Sequence, residues 1–211
     1  HDNDRAERAM SPTSHPVADG SGGKTFFTSD PHFTHDRIRE SCRRPYASIQ
    51  EMDDDLIARW NAVVRPRDIV WVLGDYALGN PDRALAYLPS LNGRKRLVTG
   101  NHDRSWVGRR SAHRYTGDYL DAGFELVTPW ARARLAGQDV LLSHFPYTGD
   151  HTPEDRFPEY RLPDVGKWLI HGHVHNAWKV NGRQINVGVD VWDYTPVAAG
   201  ALEAIITAAS S

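Results

Sequence analysis

Apolar positions along this chain follow two periods. Over residues 49–64, IQEMDDDLIARWNAVV places them at 49, 52, 56, 57, 60, 63 and 64, a helical spacing. Ser48 and Glu51 form a capping box in front of it. Elsewhere the apolar residues come in short runs: KTFFTS (24–29), IVWVLGD (69–75), KRLVTGNHD (95–103), DVLLSHFPY (139–147), KWLIHGHVH (167–175) and QINVGVD (184–190). These runs are β-branched or aromatic and read as buried strands. A shorter helix is expected over 81–90, with Pro81 in its first turn. Helical signals are concentrated before residue 95, and several strands follow. The class is α/β.

Nearly every strand ends in a polar cluster. In α/β folds the C-terminal ends of strands are where sites assemble, because the ends are rigid and the loops beyond them are free to carry chemistry. The clusters are Asp30 with His32, Asp75, Asn101 with His102 and Asp103, His144, and His173 with His175. Their carboxylate, carboxamide and imidazole groups suit borderline or hard divalent ions. They exceed the four ligands of a closed structural zinc site.

Composition narrows the reading only slightly. Hydrophobic residues make up 40% and charged residues 25%, with a net charge of −2, an ordinary globular balance with no global sign of a nucleic-acid or anionic-membrane binder. The single cysteine, Cys42, excludes an intrachain disulfide and a thiolate zinc cluster; it reads as a packing residue and fits a reducing, cytoplasmic setting. No apolar run approaches a membrane span. Residues 1–23 are polar and end in a Gly/Ser-rich stretch, so they read as an arm or linker, leaving 24–211 as one domain. Asp53, Asp54 and Asp55 resemble a metal cluster, but consecutive helical residues cannot all face one ion, and they read as a solvated face.

Taken in order, D-x-H (30–32), G-D (74–75), G-N-H-D (100–103), His144 and G-H-x-H (172–175) resemble the motif series of the calcineurin-like metallophosphoesterases, small bacterial- or phage-type branch. The resemblance covers nearly everything after residue 24. It implies a β-sandwich flanked by helices, with a dimetal site at strand ends. It also implies two divalent ions: manganese, iron or zinc, with nickel or cobalt as further options. Asp30, His32 and His175 would hold the first, Asn101, His144 and His173 the second, and Asp75 would bridge. His102 would face the substrate, with Asp103 orienting its ring. His171 matches no ligand position and is expected to support the site from the strand end.

The reaction so implied is hydrolysis of a phosphomonoester or phosphodiester. Two cations would neutralise phosphate oxygens and turn a bridging water into hydroxide, and His102 would protonate the leaving oxygen as general acid. Arg104, His35 and Tyr147 are the candidate substrate contacts, and the Pro-rich loop 148–164 a candidate cleft wall. The remaining arginines, Arg43-Arg44 and Arg109-Arg110 among them, read as solvated surface. Two other readings stay open: a nuclease gripping DNA or RNA through those arginines, and a catalytically silent metal-binding module, against which His102 argues. The partner is a phosphoester, which includes a nucleotide or nucleic acid; membrane partners are not expected, and oligomeric state is not legible.

Overall fold

The computed structural model describes residues 22–211. The expected N-terminal arm therefore lies, for residues 1–21, outside the described residues. In chain order the strands are β1 (Thr25–Thr28), β2 (Ile69–Val72), β3 (Arg94–Val98), β4 (Phe124–Thr128), β5 (Ala131–Leu135), β6 (Gln138–Leu142), β7 (Leu169–His171), β8 (Val180–Asn181), β9 (Gln184–Asn186) and β10 (Val197–Ala198). The helices are α1 (Arg37–Ser41), α2 (Ile49–Val63), α3 (Pro81–Leu85), α4 (Ala112–Ala122) and α5 (Ala199–Ala209).

Strand alternation decides how these pack. Side chains on a strand point alternately to its two faces. In β1 Phe26 joins the core under the helices, while Phe27 joins the core between the sheets. In β2 Val70 and Val72 go one way, Ile69 and Trp71 the other. One sheet has the order β10-β1-β2-β3-β4, parallel except for β10. The second has the order β5-β6-β7-β9-β8, with β6, β7 and β9 parallel. Val140 and Leu142 of β6 and Ile170 of β7 face the first sheet across the shared core. Helices α1–α4 cover the outer face of the first sheet. The expected sandwich flanked by helices is therefore present.

Helix α2 starts where the capping box places it: the Ser48 hydroxyl accepts from the Glu51 N–H at 3.1 Å, and Glu51 reaches back to the Ala47 N–H at 2.7 Å. Three helices went unread. Helix α1 spans five residues and buries only Ile38. Helix α4 buries only Tyr119, so it has almost no apolar stripe to find. Helix α5 presents Leu202 and Ile206, four residues apart, to the inter-sheet core amid alanines that blur the period. Strand β5 was missed because its inward residues are Ala131, Ala133 and Leu135, separated by arginines. Among the described residues no helix is long and apolar enough to cross a membrane.

Ile170 is fully buried between the sheets, next in chain to a site-bearing turn. Ile170→Ala should cost about 2–5 kcal/mol, read as a lowered urea midpoint with an unchanged slope.

Candidate metal centre

The parallel strands bring their C-terminal ends to one edge, where the two sheets also meet. Ser29 bridges Gly188, the Val189 N–H donates to the Ser29 carbonyl at 3.0 Å, and the Gly172 N–H donates to the His144 carbonyl at 3.0 Å. Chain leaving this edge turns at once. Asp30, His32, Asp75, His173 and His175 all adopt positive φ, between 49° and 70°, a left-handed conformation costing of order ~1–3 kcal/mol per non-glycine residue. The motif glycines permit close approach: a Cβ on Gly172 would lie 1.9 Å from Ser29 Oγ and 2.3 Å from Asp30 Oδ2, and one on Gly100 would lie 2.3 Å from Asp75 Oδ1.

These turns gather the predicted residues around two buried carboxylates. Asp75 Oδ2 lies 3.3 Å from His144 Nε2, 3.7 Å from His32 Nε2 and 4.0 Å from His102 Nε2. Asp30 Oδ1 lies 3.4 Å from His175 Nε2 and 3.6 Å from His32 Nε2. Two ligand-spaced groups result, Asp30–His32–His175 and Asp30–Asp75–His144. Asp30 belongs to both; Asp75 belongs to the second and approaches His32 of the first at 3.7 Å. His144 Nδ1 meets the Leu73 carbonyl at 2.7 Å, which fixes one proton there and makes Nε2 the nitrogen that can shed its proton and offer a lone pair.

Whether these residues fit a metal is tested by their orphaned atoms. Asp30 Oδ1, both ring nitrogens of His32, Asn101 Oδ1 and His144 Nε2 are buried and have no hydrogen-bond partner. Buried polar atoms are ordinarily satisfied. Orphans of this kind, all lone-pair donors or rings able to offer one, fit divalent cations.

The charges are tightly coupled. Burial alone would lower His144, but Asp75 and Asp30 outweigh it and raise it to about 9. Burial likewise opposes His175, yet Asp30 and Cys42 raise it to about 10. His32 stands farther from its carboxylates, and burial wins, taking it down to about 4. Asp30 and Asp75 are held below the usual carboxylate range, because the surrounding imidazoles overcome burial.

Residues 23–177 match the calcineurin-like phosphoesterase family. The chain belongs to that family. It is 44% identical over 182 residues to the "Gene 66 protein" of Mycobacterium phage L5, covering 80% of this chain and 87% of the relative. It is 32% identical over 185 residues to the uncharacterized protein MJ1445 of Methanocaldococcus jannaschii, covering 83% and 86%. The crystal structure of AQ665 from Aquifex aeolicus, a protein of unknown function, superposes with a TM-score of 0.65 at 25% identity, over 87% of this chain and all of the other. Membership of the calcineurin-like phosphoesterases implies metal-dependent hydrolysis of a phosphoester.

Within this phosphoesterase fold several expectations need correction. Asp103 does not orient the His102 ring: its carboxylate accepts the N–H groups of Asp75 at 2.9 Å, Gly100 at 2.8 Å and Tyr76 at 3.1 Å, so it fixes the backbone of two ligand loops. Arg104 points away, pairing with exposed Asp82 at 3.1 Å and lying over the Tyr115 ring. Tyr147 packs in a satellite core with Leu141 and Leu169, its hydroxyl on the Lys167 carbonyl. Asp53 is not on a solvated face; it is buried and accepts the Thr34 N–H at 3.1 Å. His35 does lie near the cluster, its ring 5.3 Å from that of His32. His171 ends β7, buried against Trp178 outside both ligand groups.

Two arginines expected on the solvated surface, Arg44 and Arg109, support the site instead. Arg44 is buried, donates to the Asp30 and Pro31 carbonyls at 2.8 Å, and pairs with Asp190 through two bonds of 2.8 and 2.9 Å. In a chain so rich in arginine, nothing marks one as internal. Arg109 donates to the Asn101 carbonyl at 3.2 Å, bracing the G-N-H-D turn. Loop 148–164 does reach the cluster: Asp150 Oδ2 lies 3.0 Å from His173 Nε2, His151 stacks on His175 with ring centroids 4.5 Å apart, and Arg156 contacts both His151 and His173.

Asp190→Ala should strand the Arg44 charge and cost about 3–5 kcal/mol. Breaking the surface pair between Arg183 and Asp164 with Arg183→Ala should cost less than about 1 kcal/mol. Urea unfolding of the two variants checks the contrast.

Proposed function

We propose that this phosphoesterase hydrolyses phosphomonoesters or phosphodiesters at a centre for two divalent ions. Asp30, His32 and His175 would hold one ion; Asn101, His144 and His173 the other; Asp75 is shared. The reading rests above all on the orphaned atoms of Asp30, His32, Asn101 and His144 at a buried edge, beside a shared carboxylate oxygen. Manganese, iron or zinc suits such nitrogen and oxygen donors. When bound, such ions offset the charge of phosphate oxygens and lower the pKa of water into the neutral range.

His102 supplies the proton. Its side chain is 36% exposed, so it stands at the mouth of the site, unlike the buried ligands. Its own N–H donates to Asp75 Oδ1 at 2.9 Å, which locks the turn bearing the ring. Burial lowers its pKa and Asp75 partly restores it. An anionic phosphoester alongside favours the protonated ring, and that proton passes to the leaving oxygen. Asp103 acts through the backbone, keeping the Asp75 and Gly100 turns in register. His35, His151 and Arg156 form the polar rim that meets the substrate, in place of Arg104 and Tyr147. Arg109 braces the G-N-H-D turn through the Asn101 carbonyl.

A panel of p-nitrophenyl phosphate, bis-p-nitrophenyl phosphate, cyclic nucleotides and short oligonucleotides, run on metal-reconstituted protein, tests the activity; no turnover on any of them defeats the reading. Asp75→Asn should lose metal and turnover together. His102→Ala should keep its metal and lose about 10²–10⁴-fold in kcat, less with good leaving groups; loss of metal in that variant would place His102 among the ligands.

The raised pKa values of His144 and His175 predict proton release. Both rings hold protons at pH 7.5 in the metal-free chain, because that pH lies below about 9 and about 10. A ring must shed its proton to bind a metal. Calorimetry at pH 7.5 in buffers of different ionisation enthalpy should show proton release on Mn²⁺ binding, and affinity should rise between pH 6.5 and 9.

A further inference from the structure

We propose that Asp150, carried by loop 148–164, is a positioning residue for His173: it accepts a hydrogen bond from Nε2–H and turns Nδ1 toward the second ion. The inference rests on the dimetal reading above and adds a residue that the motif series does not contain.

The geometry around Asp150 is that of a built clamp. Its side chain is fully buried. Oδ1 accepts from the His151 N–H at 2.8 Å and Arg156 Nη2 at 2.8 Å. Oδ2 accepts from the Arg156 N–H at 3.1 Å, Arg156 Nε at 3.2 Å and Arg161 Nη2 at 3.3 Å. Arg161 in turn donates to the Pro146, Gly149 and Arg156 carbonyls, so the loop is stapled across its base. Two guanidiniums keep Asp150 ionised, and an ionised carboxylate is an acceptor only.

That fixes the tautomer of His173. Its Nε2 lies 3.0 Å from Asp150 Oδ2 and 3.2 Å from Arg156 Nη2. Arg156 can only donate, but both Nη2 hydrogens are taken by Asp150 Oδ1 at 2.8 Å and His151 Nε2 at 2.7 Å; the carboxylate can only accept, so Nε2 carries the hydrogen and Nδ1 keeps the lone pair. The ring lies 5.2 Å from that of His144, and the His173 N–H is held by Asp30 Oδ2 at 2.9 Å. Backbone and ring are thus both fixed, one from the first strand end and the other from the loop. His144 reaches the same end by another route, with the Leu73 carbonyl on its Nδ1. A carboxylate behind a ligating imidazole fixes its orientation and raises its basicity, commonly at 10–100-fold in metal affinity.

The test uses the full chain, stripped with chelator and titrated with Mn²⁺, with free Mn²⁺ read by electron paramagnetic resonance. Long-range ¹H–¹⁵N spectra of the metal-free histidines run in parallel. Wild type should bind two ions, and His173 should show the Nε2–H tautomer. Asp150→Ala should bind the first ion as wild type does and the second about 10–100-fold more weakly, with a mixed His173 tautomer. Asp150→Asn keeps an acceptor oxygen without the charge and should fall between. Equal affinity for both ions in Asp150→Ala, equal weakening of both, or a His173 proton on Nδ1 in wild type would overturn the proposal. A wild type that binds fewer than two ions would instead overturn the dimetal reading, while the tautomer spectra still judge the contact between Asp150 and His173.

Discussion

The contact between Asp75 and three imidazoles governs the rest of this structure. A buried carboxylate oxygen within 3.3–4.0 Å of His144, His32 and His102 is a costly thing to place in a core. The strand ends that assemble it are rigid because both faces of the first sheet are packed, by the helices on one side and the second sheet on the other. Strained turns follow immediately after those ends, since a gradual loop would carry Asp30, His32 and Asp75 out into solvent. Left-handed backbone at five of the candidate ligands is the local cost of keeping them inside.

Strain of that kind persists only where surroundings over-determine it, and here the surroundings are polar. Asp103 gathers three N–H groups from the Asp75 and Gly100 turns. Arg44 grips two carbonyls of the Asp30 turn and is itself anchored by Asp190, 146 residues further along the chain. Asn186 donates to the His175 carbonyl at 2.8 Å. The side chains that hold the site in shape are therefore polar and charged groups bonded to backbone atoms, and removing one disturbs a candidate ligand without touching it.

This division explains what was readable in advance. Candidate ligands such as Asp30 and His144 sit directly after apolar runs, so the strand pattern itself points to them, and their order along the chain carries the rest. The sheets were legible wherever the strands are aliphatic on both faces, as at 69–72. They were not where alanine and arginine alternate, as at 131–135. The bracing residues leave no such trace. Arg44 and Arg104 are both arginines beside a motif, yet one is buried beneath the Asp30 turn and the other lies on the surface; only the long-range partner Asp190 separates them. Asp53 was hidden for a related reason: three consecutive acids look alike in sequence, whereas a helix turns about 100° per residue and sends one of them inward.

The two halves of the centre are built differently. His32, His175 and Asp30 stand on the sheet edge, and Arg44 and Asn186 brace their turns from inside the fold. His173 Nε2 lies 3.0 Å from Asp150, which belongs to a Pro-rich loop held by Arg156 and Arg161. Loop 148–164 also brings His151 against His175 and Arg156 to the proposed substrate rim. One segment thus touches a candidate ligand for each ion as well as the substrate mouth. A substrate that engages Arg156 must draw on the same guanidinium that holds Asp150, so occupancy of the rim and the grip on His173 share a group and cannot be independent. Loops are where a scaffold of this kind varies most freely, and in this chain that freedom is coupled to the second half of the centre while the first remains tied to the core.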